Sequence, residues 1–90
     1  MAATVTIDKN TLSCKIVALE RGDQLKWHNN SGEKVTLDLP AILAPPGDPT
    51  IDNGGTSGNY TIKANATKGN HNYEISGPTG SPRNGTIDVT

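Results

Sequence analysis

Residues 22–30 read Gly-Asp-Gln-Leu-Lys-Trp-His-Asn-Asn, and this stretch decides the fold class. Leu25 and Trp27 alternate with Lys26 and His28, a period of two that is typical of a strand with one buried side. Turn-forming residues precede and follow the stretch, so the strand has defined ends. The pattern predicts a half-buried β-strand whose tryptophan lies in the core.

The same period of two recurs along the chain, and no helical period continues beyond two turns. Two stretches rich in proline and glycine, 40–55 and 77–85, interrupt the pattern and are interpreted as long loops. We expect the first to contain a short helical turn at Ala41–Ala44. The chain is thus predicted to form an all-β sandwich of seven or eight strands in a single domain, residues 1–90. Besides Leu25 and Trp27, the alternating apolar positions are Val5 and Ile7; Val35, Leu37 and Leu39; Tyr60 and Ile62; Tyr73 and Ile75; and Ile87 and Val89. In residues 14–19, Cys14, Ile16 and Ala18 alternate with Lys15, Val17 and Leu19, so both faces of that segment are predicted to carry apolar side chains.

Composition excludes several classes of protein. The net charge is −1 and the lysines and arginines do not cluster, so we expect no nucleic acid as a partner. No apolar run is long enough for a membrane span. The single cysteine, Cys14, cannot form an internal disulfide. The first residues do not resemble a signal peptide, so we expect a cytoplasmic protein, or a periplasmic or secreted one whose signal peptide has been removed. Four short Asn-x-Ser/Thr sequons do not by themselves predict glycosylation; they begin at Asn29, Asn59, Asn65 and Asn84.

Three segments of the chain carry short motifs in a fixed order. Residues 22–30 fit Gly-Asp-x-Val-x-Trp/Phe-x-Asn, and residues 69–75 fit Gly-x-Tyr-x-Tyr-x-Cys except at His71 and Ile75. Residues 85–89 fit Gly-x-Ile-x-Val. In this order and at this spacing the motifs resemble the cupredoxin family of the plastocyanin and azurin type. The resemblance implies a cupredoxin-like Greek-key β-sandwich of seven or eight strands, with the first proline-rich stretch as its long loop.

The family's copper is held by two histidines, a cysteine and usually a methionine. The resemblance places Val35 and Pro78 at the histidine positions, Ile75 at the cysteine and Arg83 at the methionine. The first three side chains offer no lone pair, and arginine stays cationic. A shift of one residue brings Ser76 to the cysteine position, and serine is a poor copper ligand. We therefore expect a member without copper ligands and with no cofactor, in which Val35 and Ile75 fill the former pocket.

A rebuilt metal site is the alternative, because imidazole and thiolate are good ligands. It would use His28, His71 or Cys14, and the protein would then handle a metal such as copper. Nothing in the spacing of these residues supports such a site. Alternation places His28 on the solvent side of its strand, and His71 replaces an aromatic that the family points inward, which predicts a buried or half-buried packing residue. Cys14 is expected to be a small core residue.

Catalysis has little support in the sequence. No nucleophile-elbow or metal-hydrolase motif frames the serines, histidines and aspartates. The glycine-rich segment 54–58 lacks the lysine and the following helix of a phosphate-binding loop, so it is interpreted as a flexible loop. The aromatic residues are assigned to packing, with Trp27 and Tyr73 in the core and Tyr60 partly exposed. We expect that the protein is not an enzyme.

Two loops are the expected places for an interaction surface. The Pro40–Gly55 loop would expose Ile42, Leu43 and Ile51 on a frame stiffened by proline, which lowers the entropy lost on binding. The Gly77–Gly85 loop, which carries Arg83, would lie at the end where the family binds copper. Copper-free relatives, as the resemblance implies, use this scaffold to recognise proteins. The expected function is a copper-free, non-enzymatic module with a protein-binding or structural role, a possible protein partner and an undetermined oligomeric state.

Overall fold

The described part of the chain is all β, as the alternating pattern predicts. The computed structural model describes residues 2–9, 12–13, 15–44, 47–76 and 84–90, and these residues contain no helix. They form nine strands rather than seven or eight, because two strands of only two residues lie in the proline-rich stretch. The strands are β1 Ala2–Asp8, β2 Ile16–Leu19, β3 Gln24–Asn30, β4 Val35–Asp38, β5 Leu43–Ala44, β6 Thr50–Ile51, β7 Tyr60–Ile62, β8 Gly69–Ser76 and β9 Asn84–Val89.

The strands form two sheets of a sandwich. The first sheet has the order β1-β3-β7-β5 and the second the order β2-β9-β8-β4-β6. β1 is parallel to β3 and β2 is parallel to β9, whereas the other pairs are antiparallel. β1 and β5 are the edge strands of the first sheet, and β2 and β6 are those of the second. A short connection joins β1 to β2 and another joins β5 to β6, so each side of the sandwich has one edge strand from each sheet. No helix in the described ranges is long and apolar enough to cross a membrane.

The core lies between the sheets and is organised around one tryptophan. Trp27 is fully buried, and its ring makes edge-to-face contacts with Tyr73 at 5.2 Å and Tyr60 at 5.8 Å between centroids. Such pairs stabilise a core by about 0.5–1.5 kcal/mol beyond the area they bury. Trp27 and Tyr73 are therefore core aromatics, as predicted. The expectation that Tyr60 is partly exposed is wrong, because its side chain completes this cluster and is 8% exposed.

The Pro40–Gly55 stretch differs from its prediction. Instead of a helical turn at Ala41–Ala44, residues 43 and 44 form β5, in which Leu43 pairs with Ile62 of β7. Ile51 of β6 pairs with Val35 of β4 in the other sheet. The stretch therefore closes one side of the sandwich by adding an edge strand to each sheet. Pairing with distant strands outweighs the local helical preference.

Candidate functional site

Two of the four positions that the resemblance assigns to copper ligands lie on the inner face of the second sheet, in the core. Ile75 on β8 pairs directly with Leu37 on β4, and Val35 lies two residues further along β4 on the same face. Val35 is 0% and Ile75 is 2% exposed. Neither side chain can donate electrons to a metal. At these positions the inner face of the second sheet is packed with hydrocarbon.

The other predicted ligand positions lie outside the described residues. Pro78 and Arg83 fall within 77–83, and Cys14 also falls outside the described ranges. Ser76 is described, and it lies exposed on the outer face of the second sheet, opposite Thr36. Because a shift of one residue moves a side chain to the other face, serine does not replace the inward-facing cysteine.

The structure separates the two histidines. His28 lies on the outer face of β3 in the first sheet, with Nδ1 2.9 Å from the hydroxyl oxygen of Thr56. His71 is half-buried on β8 in the second sheet, and its Nε2 lies 2.7 Å from the carbonyl oxygen of Thr67. His71 is half-buried, as predicted, whereas His28 lies on the predicted outer face but is half-buried instead of exposed. A metal site joining the two rings is not formed, and within the described ranges no three His, Cys, Asp or Glu side chains are grouped to hold a metal.

One polar residue that sequence reasoning missed organises this end of the molecule. Asn29, at the end of β3, is fully buried. Its Nδ2 donates to the carbonyl oxygens of Glu33 at 2.6 Å and Ile51 at 2.9 Å. Its Oδ1 accepts from the backbone N–H of Ser31 at 3.0 Å and from the Ser31 hydroxyl at 2.7 Å. The side chain therefore ties β3, the following turn and β6 together.

The backbone of Asn29 reinforces the same connection. Its N–H donates to the Gly55 carbonyl at 2.9 Å, and its carbonyl accepts from the Gly54 N–H at 2.7 Å. Two sequence signals fall on Asn29: it closes the Gly-Asp-x-Val-x-Trp/Phe-x-Asn motif, and it begins an Asn-x-Ser sequon, which suggests a modification site instead of a clamp. Burial removes Asn29 from glycosylation in the folded state. The other sequons keep exposed asparagines, at Asn59, Asn65 and Asn84.

A polar cleft opens next to this clamp. It has a volume of about 420 Å³ and is lined by Lys9, Ser31, Gly32 and Glu33. These residues follow β1 and β3 and precede β4, so the cleft lies at the end of the sandwich where Val35 is buried. The described residues of its lining include one cation, Lys9, and one carboxylate, Glu33, and none of them is apolar.

The predicted interaction surface at the proline-rich stretch is not formed. Ile42, Leu43 and Ile51 are 9%, 2% and 4% exposed and belong to the core. The expectation that they are exposed is wrong because β5 and β6 turn Leu43 and Ile51 inward when they pair with the sheets. Ile42 precedes β5 and is held against the residue after β7, since its carbonyl accepts the Lys63 N–H at 2.8 Å. Arg83, the fourth residue of that predicted surface, lies outside the described residues.

Two pKa shifts have structural causes. The Asp23 carboxylate accepts the backbone N–H of Glu20 at 2.8 Å, which lowers the pKa of Asp23 from its usual 3.8. Burial, and then the negative charge of Asp48, raises the pKa of Tyr60. The first group stabilises a turn and the second belongs to the core cluster.

The comparisons with known proteins support the fold. No protein-family model matches the chain, and no curated protein is significantly similar. Among solved structures, the reduced Cu(I) form at pH 4 of a proline-to-glycine mutant of amicyanin superposes with a TM-score of 0.72 at 17% identity, covering 99% of this chain and 82% of amicyanin. The oxidized form of a methionine-to-lysine mutant gives the same values. An oxidized proline-to-alanine mutant gives 0.71 at 18% identity, with the same coverage of both chains. The chain therefore has a cupredoxin-like fold.

Proposed function

We propose that this domain is a copper-free cupredoxin-like module with a non-enzymatic, protein-binding or structural role. The observation that carries the proposal is the burial of Val35 and Ile75 in the core, at two positions that the resemblance assigns to copper ligands. Copper in such a site requires imidazole and thiolate donors in a fixed geometry. Two buried hydrocarbon side chains on adjacent strands leave neither a donor nor space for one.

The residue types at the remaining two positions support the same proposal. Proline at position 78 has no nitrogen lone pair to offer, and arginine at position 83 carries a permanent positive charge. The resemblance assigns Arg83 to the position of the axial methionine, and a guanidinium has no lone pair to offer copper. All four substitutions thus act in the same direction, against copper binding.

The glycine-rich segment supports a non-enzymatic role. Three of its five backbone N–H groups, which a phosphate would need, already donate within the protein. Gly54 donates to Asn29, Gly55 to Asp52, and Ser57 to Trp27. Instead of the expected flexible loop, the segment is bonded along β3 and fills the space beside that strand. The backbone groups of the segment that form these hydrogen bonds therefore stabilise the fold.

Copper titration followed by absorption and EPR spectroscopy tests the proposal. We expect no intense thiolate-to-copper band in the red part of the visible spectrum and no blue-copper EPR signal. The matched control is the variant V35H/I75C/P78H/R83M, which places the family's donors at the four positions and is expected to gain the band. A stoichiometric blue-copper spectrum from the unaltered protein would contradict the proposal.

A second candidate is a metal-handling protein with a rebuilt site at His71. The carbonyl of Thr67 fixes the ring through Nε2, as outer-shell carbonyls do for histidines that bind metals, and leaves Nδ1 for another contact. Anaerobic loading with Cu(I) and Zn(II), followed by metal analysis, decides this case. Retention of one metal ion that is lost in H71A but not in H28A favours the second candidate, and no retention rejects it.

A further inference from the structure

The two sides of the sandwich are protected to different degrees against pairing with another chain. On the side of β5 and β6 the edge strands are two residues long, and Pro40 and Pro49 lie close to them. Short strands and prolines are the usual protection of a sheet edge. On the other side, β1 has seven residues, and from Ala2 to Ile7 it contains no charge and no proline.

Among the described residues, those that cover the β1 edge lie against its second half. Ser13 donates its backbone N–H to the Thr6 carbonyl at 3.0 Å, and its side-chain oxygen accepts the Thr6 N–H at 2.9 Å. Leu12 forms an isolated bridge with Ile7. These contacts show which way the backbone of β1 faces, because the N–H and C=O of Thr6 point away from β3.

Successive residues of a strand direct their backbone groups to alternate sides, so Ala2 and Thr4 face the same edge as Thr6. No residue in the described ranges pairs with Ala2 or Thr4 from that side. Both side chains are exposed and small. Each of the two residues therefore presents one donor and one acceptor to the open edge, beside side chains that allow a close approach.

We propose that this edge pairs with the β1 edge of a second copy of the chain. In an antiparallel arrangement around a two-fold axis at Ala3, Ala2 of one copy lies opposite Thr4 of the other, and the reverse. This register forms about four backbone hydrogen bonds and keeps the partner strand clear of Ser13. Two four-stranded sheets become one sheet of eight strands. The proposal rests on the proposed function, because it names the partner of the module.

The interface is small, so association belongs to the weak class of protein contacts. The test is sedimentation equilibrium over a series of concentrations reaching about 1 mM, the range in which a weak dimer populates. We expect the mean mass of the unaltered protein to rise from monomer towards dimer. T4P removes one outward N–H from each copy, about two of the four bonds, at an edge position where proline is tolerated. It is expected to weaken association at least about tenfold, whereas T4V, which keeps the N–H, associates like the unaltered protein.

Hydrogen exchange gives a second readout that does not depend on a folded T4P variant. In the unaltered protein, the Thr4 amide is expected to exchange fast at low concentration and to slow as the dimer forms. A protein that stays monomeric at the highest concentration overturns the proposal, as does a T4P dimer as tight as that of T4V. Neither result affects the copper titration, so failure of this inference is distinguishable from failure of the proposed function.

Discussion

Replacement of Gly85 by alanine probes the tightest contact in the core. Gly85 on β9 pairs with Tyr73 on β8, and the tyrosine ring lies over the glycine. A Cβ atom at residue 85 would come within 2.8 Å of Cε1 of Tyr73, and closer still to Cζ and the hydroxyl oxygen. Non-bonded carbon atoms prefer about 3.5–4.0 Å, so the ring would have to move by about 1 Å. Tyr73 is 1% exposed and packs edge-on against Trp27, which leaves little room for that movement.

The expected cost follows from these contacts. Overpacking of a core costs about 1–3 kcal/mol, and disturbing the pair of Tyr73 with Trp27 costs up to about 1.5 kcal/mol more. Alanine recovers about 0.5–1 kcal/mol, because glycine loses more conformational freedom on folding. We therefore expect G85A to lower the free energy of unfolding by about 2 kcal/mol. For a domain of this size, that lowers Tm by roughly 8–16 °C.

Urea and thermal unfolding followed by the fluorescence of Trp27, the only tryptophan, measure this change. G58A is the matched control, since a Cβ at Gly58 would have nothing within 4 Å. It is expected to be neutral or slightly stabilising. A double-mutant cycle with Y73A isolates the ring, and G85A should cost little once the ring is absent. The reasoning is refuted if G85A lies within about 0.5 kcal/mol of the unaltered protein, or if its cost is the same in the Y73A background.

Three further substitutions test other parts of the structure. N29A removes the buried clamp and is expected to lower the free energy of unfolding in urea by about 3 kcal/mol, because several buried backbone groups lose their partners. N30A, at the adjacent exposed position, should lower it by less than about 0.5 kcal/mol. Equal losses for the two variants would show that the clamp is dispensable. L43A should lower the free energy of unfolding by about 2–5 kcal/mol, and I16A, at a position that is 59% exposed, by less than about 0.5 kcal/mol. A loss for L43A as small as that for I16A would contradict the burial of Leu43. The pKa of Asp23 is lowered in the folded protein, so its contribution to stability is present above pH 3.8 and is lost as the pH falls through its folded pKa. D23N should remove that part of the acid dependence of the urea midpoint. An unchanged dependence of the midpoint on pH would contradict the lowered pKa of Asp23.

The fold class could be predicted from the sequence because it depends on local alternation. The side chains of a strand point to opposite faces in turn, so the order of Leu25, Lys26 and Trp27 already places two of them in a core. The buried pattern of β3 agrees with this. The chemistry at Val35 and Ile75 could also be predicted, because a hydrocarbon side chain cannot bind a metal in any fold.

The burial of the apolar residues in the proline-rich stretch, and of Asn29, could not be predicted because it depends on which distant segments of the chain come into contact. Ile42 and Leu43 are apolar residues in a proline-rich stretch, and nothing local distinguishes a loop that exposes them from an edge strand that buries them. The pairing of β5 with β7, which lies far along the chain, decides between the two. The same holds for Asn29, whose burial depends on a carbonyl of β6 that is 22 residues away.

Residues 22–30 therefore determine, by their own alternation, a strand, its inward face and the tryptophan of the core. Only the tertiary structure decides that Asn29 is a clamp, that the ring of Tyr73 covers Gly85, and that no described residue pairs with the outer edge of β1 at Ala2 and Thr4. The physical reason is that alternation is a property of one strand, whereas pairing, close approach and edge exposure are properties of two.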